Sequence, residues 1–214
     1  MSDRRLRGLE REWRETGSVE AEAACLRERV RVGDLTQERL QLAACCGHEG
    51  ARRAAGSRGR VLDPDCWLVD IERMDPAAGL FAAILLGRAV LPVWQAARPV
   101  DDRPALALAA AAHVLTGAEG AAERVGSAAD AANDSAVELE RRGDPRALSA
   151  ACCISAIADL AAGARGSAED VWECAVGALA LQDLVSARSA IVSEVARRLL
   201  LSSAASITRW VTPE

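Results

Sequence analysis

Lysine and tyrosine are absent from this 214-residue chain, phenylalanine occurs once and histidine twice. A lysine Schiff base is therefore excluded, and proton transfer by imidazole would rest on two side chains. No stretch alternates apolar and polar residues over a strand's length, which argues against β structure. The N-terminus, Met1-Ser2-Asp3-Arg4-Arg5, runs into a charged amphipathic segment and lacks the apolar core of a secretory signal. The longest apolar stretch, Ala77 to Leu86, ends at Gly87-Arg88 and reads as too short to span a bilayer, so a soluble, cytoplasmic protein without membrane contact is expected. No glycine-rich loop ends in Gly-Lys-Ser or Gly-Lys-Thr, so a phosphate-binding loop is not expected either.

What is present in quantity is alanine, 46 residues of it. Alanine loses no side-chain entropy in a helix, and its small side chain lets helices approach closely. Half the residues are apolar, enough for a sizeable core. The net charge of −5 hides an asymmetry: residues 1–60 hold 13 Arg against 10 acids (+3), and residues 61–214 hold 13 Arg against 21 acids (−8). Neither part has the clustered cationic face of a nucleic-acid binder, which disfavours nucleic acid as a partner.

Helix signals account for nearly every segment. Leu6, Leu9 and Trp13 mark a helix over 2–15, ended by Thr16-Gly17. Ser18 caps a second helix that Gly33 closes, and Thr36 a third that runs to about Cys46. A short segment over 48–55 follows, and Gly56-Ser57-Arg58-Gly59-Arg60 reads as a linker. Beyond it, Asp63-Pro64, Asp75-Pro76 and Asp144-Pro145 each place a capping aspartate before a proline at the first helical position. Thr116 with Glu119 makes a capping-box pattern, and Ser167 with Asp170 a weaker one. Helices are expected near 64–73, 76–97, 104–115, 117–142, 145–162 and 168–201, with a short one around 207–211. Pro92 should kink the 76–97 helix. The fold class is all-α, a multi-helix bundle or short α-solenoid, with a small module over 1–55 and an alanine-rich bundle over 61–214.

Three clusters could carry chemistry. Cys45-Cys46-Gly47-His48 places thiol and imidazole near one helix end, but a structural zinc site needs four ligands and no second pair has the spacing. The seven cysteines follow no framework pattern and read as small buried hydrophobes in a reducing compartment. Asp63, Asp65, Asp70, Glu72 and Asp75 crowd one segment, with Asp65 and Glu72 spaced for one helical face; two of the five are explained as caps and the others as a solvated face. His113 stands alone in an apolar helix and reads as a packed or boundary residue. No catalytic residue, metal or cofactor is expected. The candidate interface residues are Trp13 and Trp210 as anchors, Arg52 and Arg53 from the cationic run before the linker, and Glu138 and Glu140 on the 117–142 helix.

Two stretches carry a resemblance. The run from Trp13-Arg14-Glu15-Thr16-Gly17-Ser18 through Gly33-Asp34-Leu35 to Cys45-Cys46-Gly47-His48 resembles a small helical module at the front of uncharacterised proteins of high-GC bacteria, myxobacteria in particular. From Leu91-Pro92-Val93-Trp94 through Asp102-Arg103-Pro104-Ala105-Leu106 and the alanine-rich helices that follow, the chain is similar to the all-helical immunity-protein domains (the immunity protein five-like group) of bacterial toxin and conflict systems. The resemblance implies a non-enzymatic protein that binds another protein, such as a toxin, effector or defence component. Two alternatives stay open: a structural subunit that self-assembles through its helices, and a helical protein that binds a metal or small ligand.

Overall fold

A computed structural model describes residues 2–56, 61–140, 144–163 and 167–201; the expected helix at 207–211 lies outside them. The protein is an all-α helical bundle, 82% helical, with eleven helices and no strand among the described residues. They are α1 (Ser2–Thr16), α2 (Val19–Val32), α3 (Gln37–Cys45), α4 (Glu49–Ala55), α5 (Trp67–Met74), α6 (Pro76–Ala97), α7 (Arg103–Val114), α8 (Ala121–Glu140), α9 (Pro145–Ala162), α10 (Ala168–Ala178) and α11 (Leu181–Leu201).

Two compact units result. The described residues within Met1–Asp65 and Val192–Ile207 make one, and those within Cys66–Ile191 make the other. Residues 57–60 of the expected linker lie outside the described residues, and the chain passes from the first unit to the second after Asp65 and back after Ile191.

The first unit packs α2 against α1 and α4, and α3 against α4. Ser18 accepts from the Ala21 N–H at 3.1 Å, and Thr36 from the Arg39 N–H at 3.3 Å. These bonds satisfy amide groups that have no partner inside the helix. Gly33 ends α2 at φ 80°, a left-handed conformation that glycine adopts without steric cost. The core is built from branched side chains, Leu26, Leu35, Leu40 and Leu42, with Val195 and Leu199 also buried. Arg29 tightens the turn after α2: its Nε donates to Asp34 at 2.6 Å and its Nη1 to the Leu200 carbonyl. Glu28 is buried among these apolar groups and is compensated by Arg31 at 2.6 Å and Arg5 at 3.6 Å. The hydrogen bonds from Arg31 hold its carboxyl below the usual range.

In the second unit α9 lies centrally, packed against α6, α7, α8 and α10. Alanine lines these contacts, and glycine marks the closest ones. A Cβ on Gly87 would come within 2.7 Å of both Ile157 on α9 and Leu108 on α7. One on Gly79 would come within 2.5 Å of the Glu72 Cα, so α5 and α6 meet backbone to backbone. Two tryptophans join Leu68, Ile84, Leu86, Ile154 and Ile157 in the core. Trp94 is fully buried and its Nε1 donates to the Asp101 carbonyl at 2.9 Å. Trp67 is also fully buried and meets Trp172 edge to face, ring centres 5.7 Å apart and planes at 88°. Its Nε1 finds no acceptor among the described residues.

Several expected boundaries move. Asp75 and Asp144 cap α6 and α9, each accepting two N–H groups within about 3.1 Å. Asp63 does not cap α5: it accepts from the Asp65 N–H at 2.9 Å in a local turn, and α5 begins only at Trp67. Asp65 is therefore off the helix and cannot share a face with Glu72. The Thr116 capping box does not form, because the Thr116 hydroxyl donates back to the His113 carbonyl at 2.7 Å. Left-handed Gly117 and Gly120 then delay α8 to Ala121. The weaker pattern, Ser167 with Asp170, forms a complete reciprocal box. The segment expected as one helix over 168–201 is two, α10 and α11, with Leu179 extended between them. Pro92 stands inside α6, which continues through it. The apolar stretch expected to be too short for a bilayer is part of this longer helix: α6 and α9 both have the length and composition to cross a membrane, and most of the apolar window of α6 and half that of α9 are buried inside the protein. Buried core helices meet the same criterion of length and composition.

Candidate interaction surface

The residues that sequence singled out do not converge. Trp13 is half-buried on α1. Arg52 and Arg53 sit in the last turn of α4, where cations suit the helix dipole, and both are paired: Arg52 with Glu49 at 3.7 Å, Arg53 with Glu20 at 3.2 Å and Glu49 at 3.9 Å. Arg53 thus links α4 to α2 while Arg52 pairs within α4; Arg58 and Arg60, and also Trp210, lie outside the described residues.

Cys45, Cys46 and His48 separate by role. Cys46 is buried, which pushes its thiol up to about 12. His48 is the N-cap of α4, its Nδ1 accepting from the Ala51 N–H at 3.2 Å, and its Nε2 lies 3.7 Å from Glu22. The imidazole is thus a capping group. Among the described residues no set of three or more His, Cys, Asp or Glu side chains is placed to hold a metal ion. His113 is exposed at the end of α7, where its carbonyl takes the Thr116 hydroxyl.

Glu138 has a role that its sequence context concealed. Arg103, at the start of α7, donates to Asp101 at 2.9 and 2.7 Å and to Glu138 on α8 at 3.2 and 2.9 Å. Arg98 reaches Glu138 at 3.6 Å, and the buried Ser135 hydroxyl donates to Asp101 at 3.2 Å. The Arg103 hydrogen bonds hold both the Asp101 and Glu138 carboxyls below their usual range. Arg98, Asp101 and Arg103 of this network line an open cleft of 620 Å³ over Ala97–Arg103. The network's charges are engaged with each other, so it ties the α6–α7 loop to α8. Glu138 is then a structural partner of two arginines, whereas Glu140 is exposed and has no described ion pair.

Comparison with known proteins yields no relative: no family model, no curated protein and no solved structure matches this chain. The surface itself therefore carries the functional reading. Its most informative feature is on α11, where Leu181 is 77% and Val185 58% exposed, one turn apart. Leu184, beside them on the same turn, is buried, and exposed Gln182, Asp183, Ser186 and Ser189 flank the apolar pair. An apolar centre with a polar surround is the arrangement of a protein-binding hot spot. Sequence reasoning missed it because a continuous helix over 168–201 hid the start of α11. Leu179 and Ala180 carry no proline, left-handed glycine or capping side chain that would have announced the break.

Proposed function

We propose that this chain is a non-enzymatic protein-interaction module that captures a cationic protein partner through the Leu181–Val185 face of α11. The observation that carries the reading is that exposed apolar pair within a chain segment of strong negative charge, −8 over residues 61–214. Burying two aliphatic side chains favours association by about 1.5–3 kcal/mol each, and the surrounding acids would accelerate encounter with a basic surface. The narrower reading, an immunity protein or adaptor of a bacterial conflict system, rests on the resemblance in the alanine-rich region. It places the protein in the cytoplasm, with a toxin or effector as its partner.

The test is capture from the native host at low salt, alongside the oligomeric state of the purified chain at micromolar concentration. A monomer that retains one cationic protein, with retention falling as salt rises, supports the reading. A discrete homo-oligomer that retains nothing favours the self-assembling subunit instead.

A further inference from the structure

The α9–α10 seam gathers Cys152, Cys153 and Cys174, and its register is fixed by three contacts. Arg146 Nε donates to the Ala178 carbonyl at 3.1 Å, a Cβ on Gly177 would lie 3.0 Å from the Ser149 Cβ, and Cys153 Sγ lies 3.5 Å from the Val171 carbonyl. Advancing along α9 from 146 through 149 to 153 thus retreats along α10 from 178 through 177 to 171, so the helices run antiparallel. Three residues on from Ser149 is Cys152, and three residues back from Gly177 is Cys174. A three-residue step keeps each on the same helical face as the contact it starts from, so the two thiols face each other across the seam. Gly177 has no side chain to hold the backbones apart at this point, and a disulfide needs Cα atoms within roughly 4.4–6.8 Å. Both cysteines are half-buried, at the solvent edge of the seam, whereas Cys153 is turned into the core.

We propose that Cys152 and Cys174 are a reversible dithiol–disulfide pair that staples α9 to α10, with a small-molecule disulfide such as oxidised glutathione as the oxidant. One cysteine, as thiolate, attacks a glutathione sulfur; a mixed disulfide forms and the first glutathione leaves as its thiolate. The facing cysteine, as thiolate, attacks the protein sulfur of that mixed disulfide. The protein disulfide forms, the second glutathione leaves, and the two protons lost by the cysteines are taken up by the two glutathione thiolates. The cysteines are oxidised and the glutathione is reduced. Burial raises both thiols, Cys174 to about 11 with the neighbouring Cys152, Asp170 and Glu173 adding to the effect, and Cys152 with a contribution from Glu140. Exchange is therefore slow at neutral pH and quickens as pH rises and more thiolate forms.

The experiment treats the full chain with oxidised glutathione at about pH 8.5, where thiolate begins to form. It then alkylates without reduction and maps peptides by mass spectrometry. The expected result is a Cys152–Cys174 cross-link, reversed by dithiothreitol, with exposed Cys66 carrying glutathione as a sign that the oxidant is active. In Cys174→Ser, and reciprocally in Cys152→Ala, the remaining cysteine should hold glutathione as a mixed disulfide, with the far-ultraviolet circular dichroism of the native chain. Glutathione on both cysteines of the native sequence without a cross-link would overturn the proposal. So would a Cys153–Cys174 link, or thiols at 152 and 174 that stay reduced while Cys66 reacts.

Discussion

The two units of this protein reach a packed helical core by different means. The first uses leucine side chains reaching between helices of modest length, with ion pairs such as Arg31–Glu28 and Arg29–Asp34 at the margins. The second uses alanine and glycine to bring backbones together, and sets among them branched side chains such as Leu68, Ile84, Leu86 and Ile157 and the fully buried Trp67 and Trp94. The contrast is one of where the packing energy sits. Interdigitated leucines distribute it, whereas small-residue seams make a helix crossing intolerant of added volume where glycine or alanine sets the spacing.

The largest effects should fall on the anchors. Trp94→Ala should cost about 4 kcal/mol and Leu42→Ala about 3 kcal/mol, because each leaves a cavity that a packed core closes only in part. Chemical denaturation measures both, and hydrogen exchange locates the loss in the second unit for the first and in the first unit for the second. Equal loss of protection in both units would erase the distinction.

Glycine gives the next test, with opposite signs inside one unit. Gly79→Ala should destabilise by about 2 kcal/mol despite the better helix propensity of alanine, since the new methyl meets the Glu72 backbone. Gly126→Ala should stabilise by about 0.5–1 kcal/mol, because nothing lies within 4 Å of its Cβ position. Thermal melts of the two variants suffice. A stabilising Gly79→Ala would remove the close α5–α6 approach from the account.

The tryptophans can be separated by their hydrogen bonds. Trp94→Phe should cost about 1 kcal/mol more than Trp67→Phe, because only Trp94 gives up a bond and strands the Asp101 carbonyl. Smaller still is the pH effect. Asp101 and Glu138 in the second unit, and Glu28 in the first, have carboxyls held below their ordinary values. Their contribution is fully present above the ordinary carboxylate range and is lost as pH falls through the depressed values. Melting temperature should therefore fall on acidification below about pH 4, and the acid limb should be shallower in Asp101→Asn.

Much of the helix inventory was legible because its punctuation is local. Ser18, Thr36, Asp75, Asp144 and the Ser167–Asp170 pair cap helices through bonds spanning two or three residues, and Gly33 needs only its own backbone freedom. The misreadings came where two local signals competed or none existed. Thr116 could cap the following helix or close the preceding one, and left-handed Gly117 and Gly120 decide for the latter. The break at Leu179 carries no signal at all. Partners distant in sequence were beyond reach as well: Arg103 finds Glu138 thirty-five residues away, which ties an exposed charge into a network on the surface of the bundle. The α11 face was hidden by the unmarked break at Leu179, since it depends on where that helix begins.

The most direct measurement compares capture from the native host by three forms of the chain: unaltered, Leu181→Glu with Val185→Glu, and Trp13→Ala. Quantitative mass spectrometry reads the amount of the cationic partner retained. The account predicts at least a tenfold loss in the α11 double variant, equivalent to about 1.4 kcal/mol or more of binding, with its helical circular dichroism intact and retention by Trp13→Ala within twofold of the unaltered chain. Undiminished capture by the double variant, or loss only in Trp13→Ala, would contradict the placement of the partner on α11.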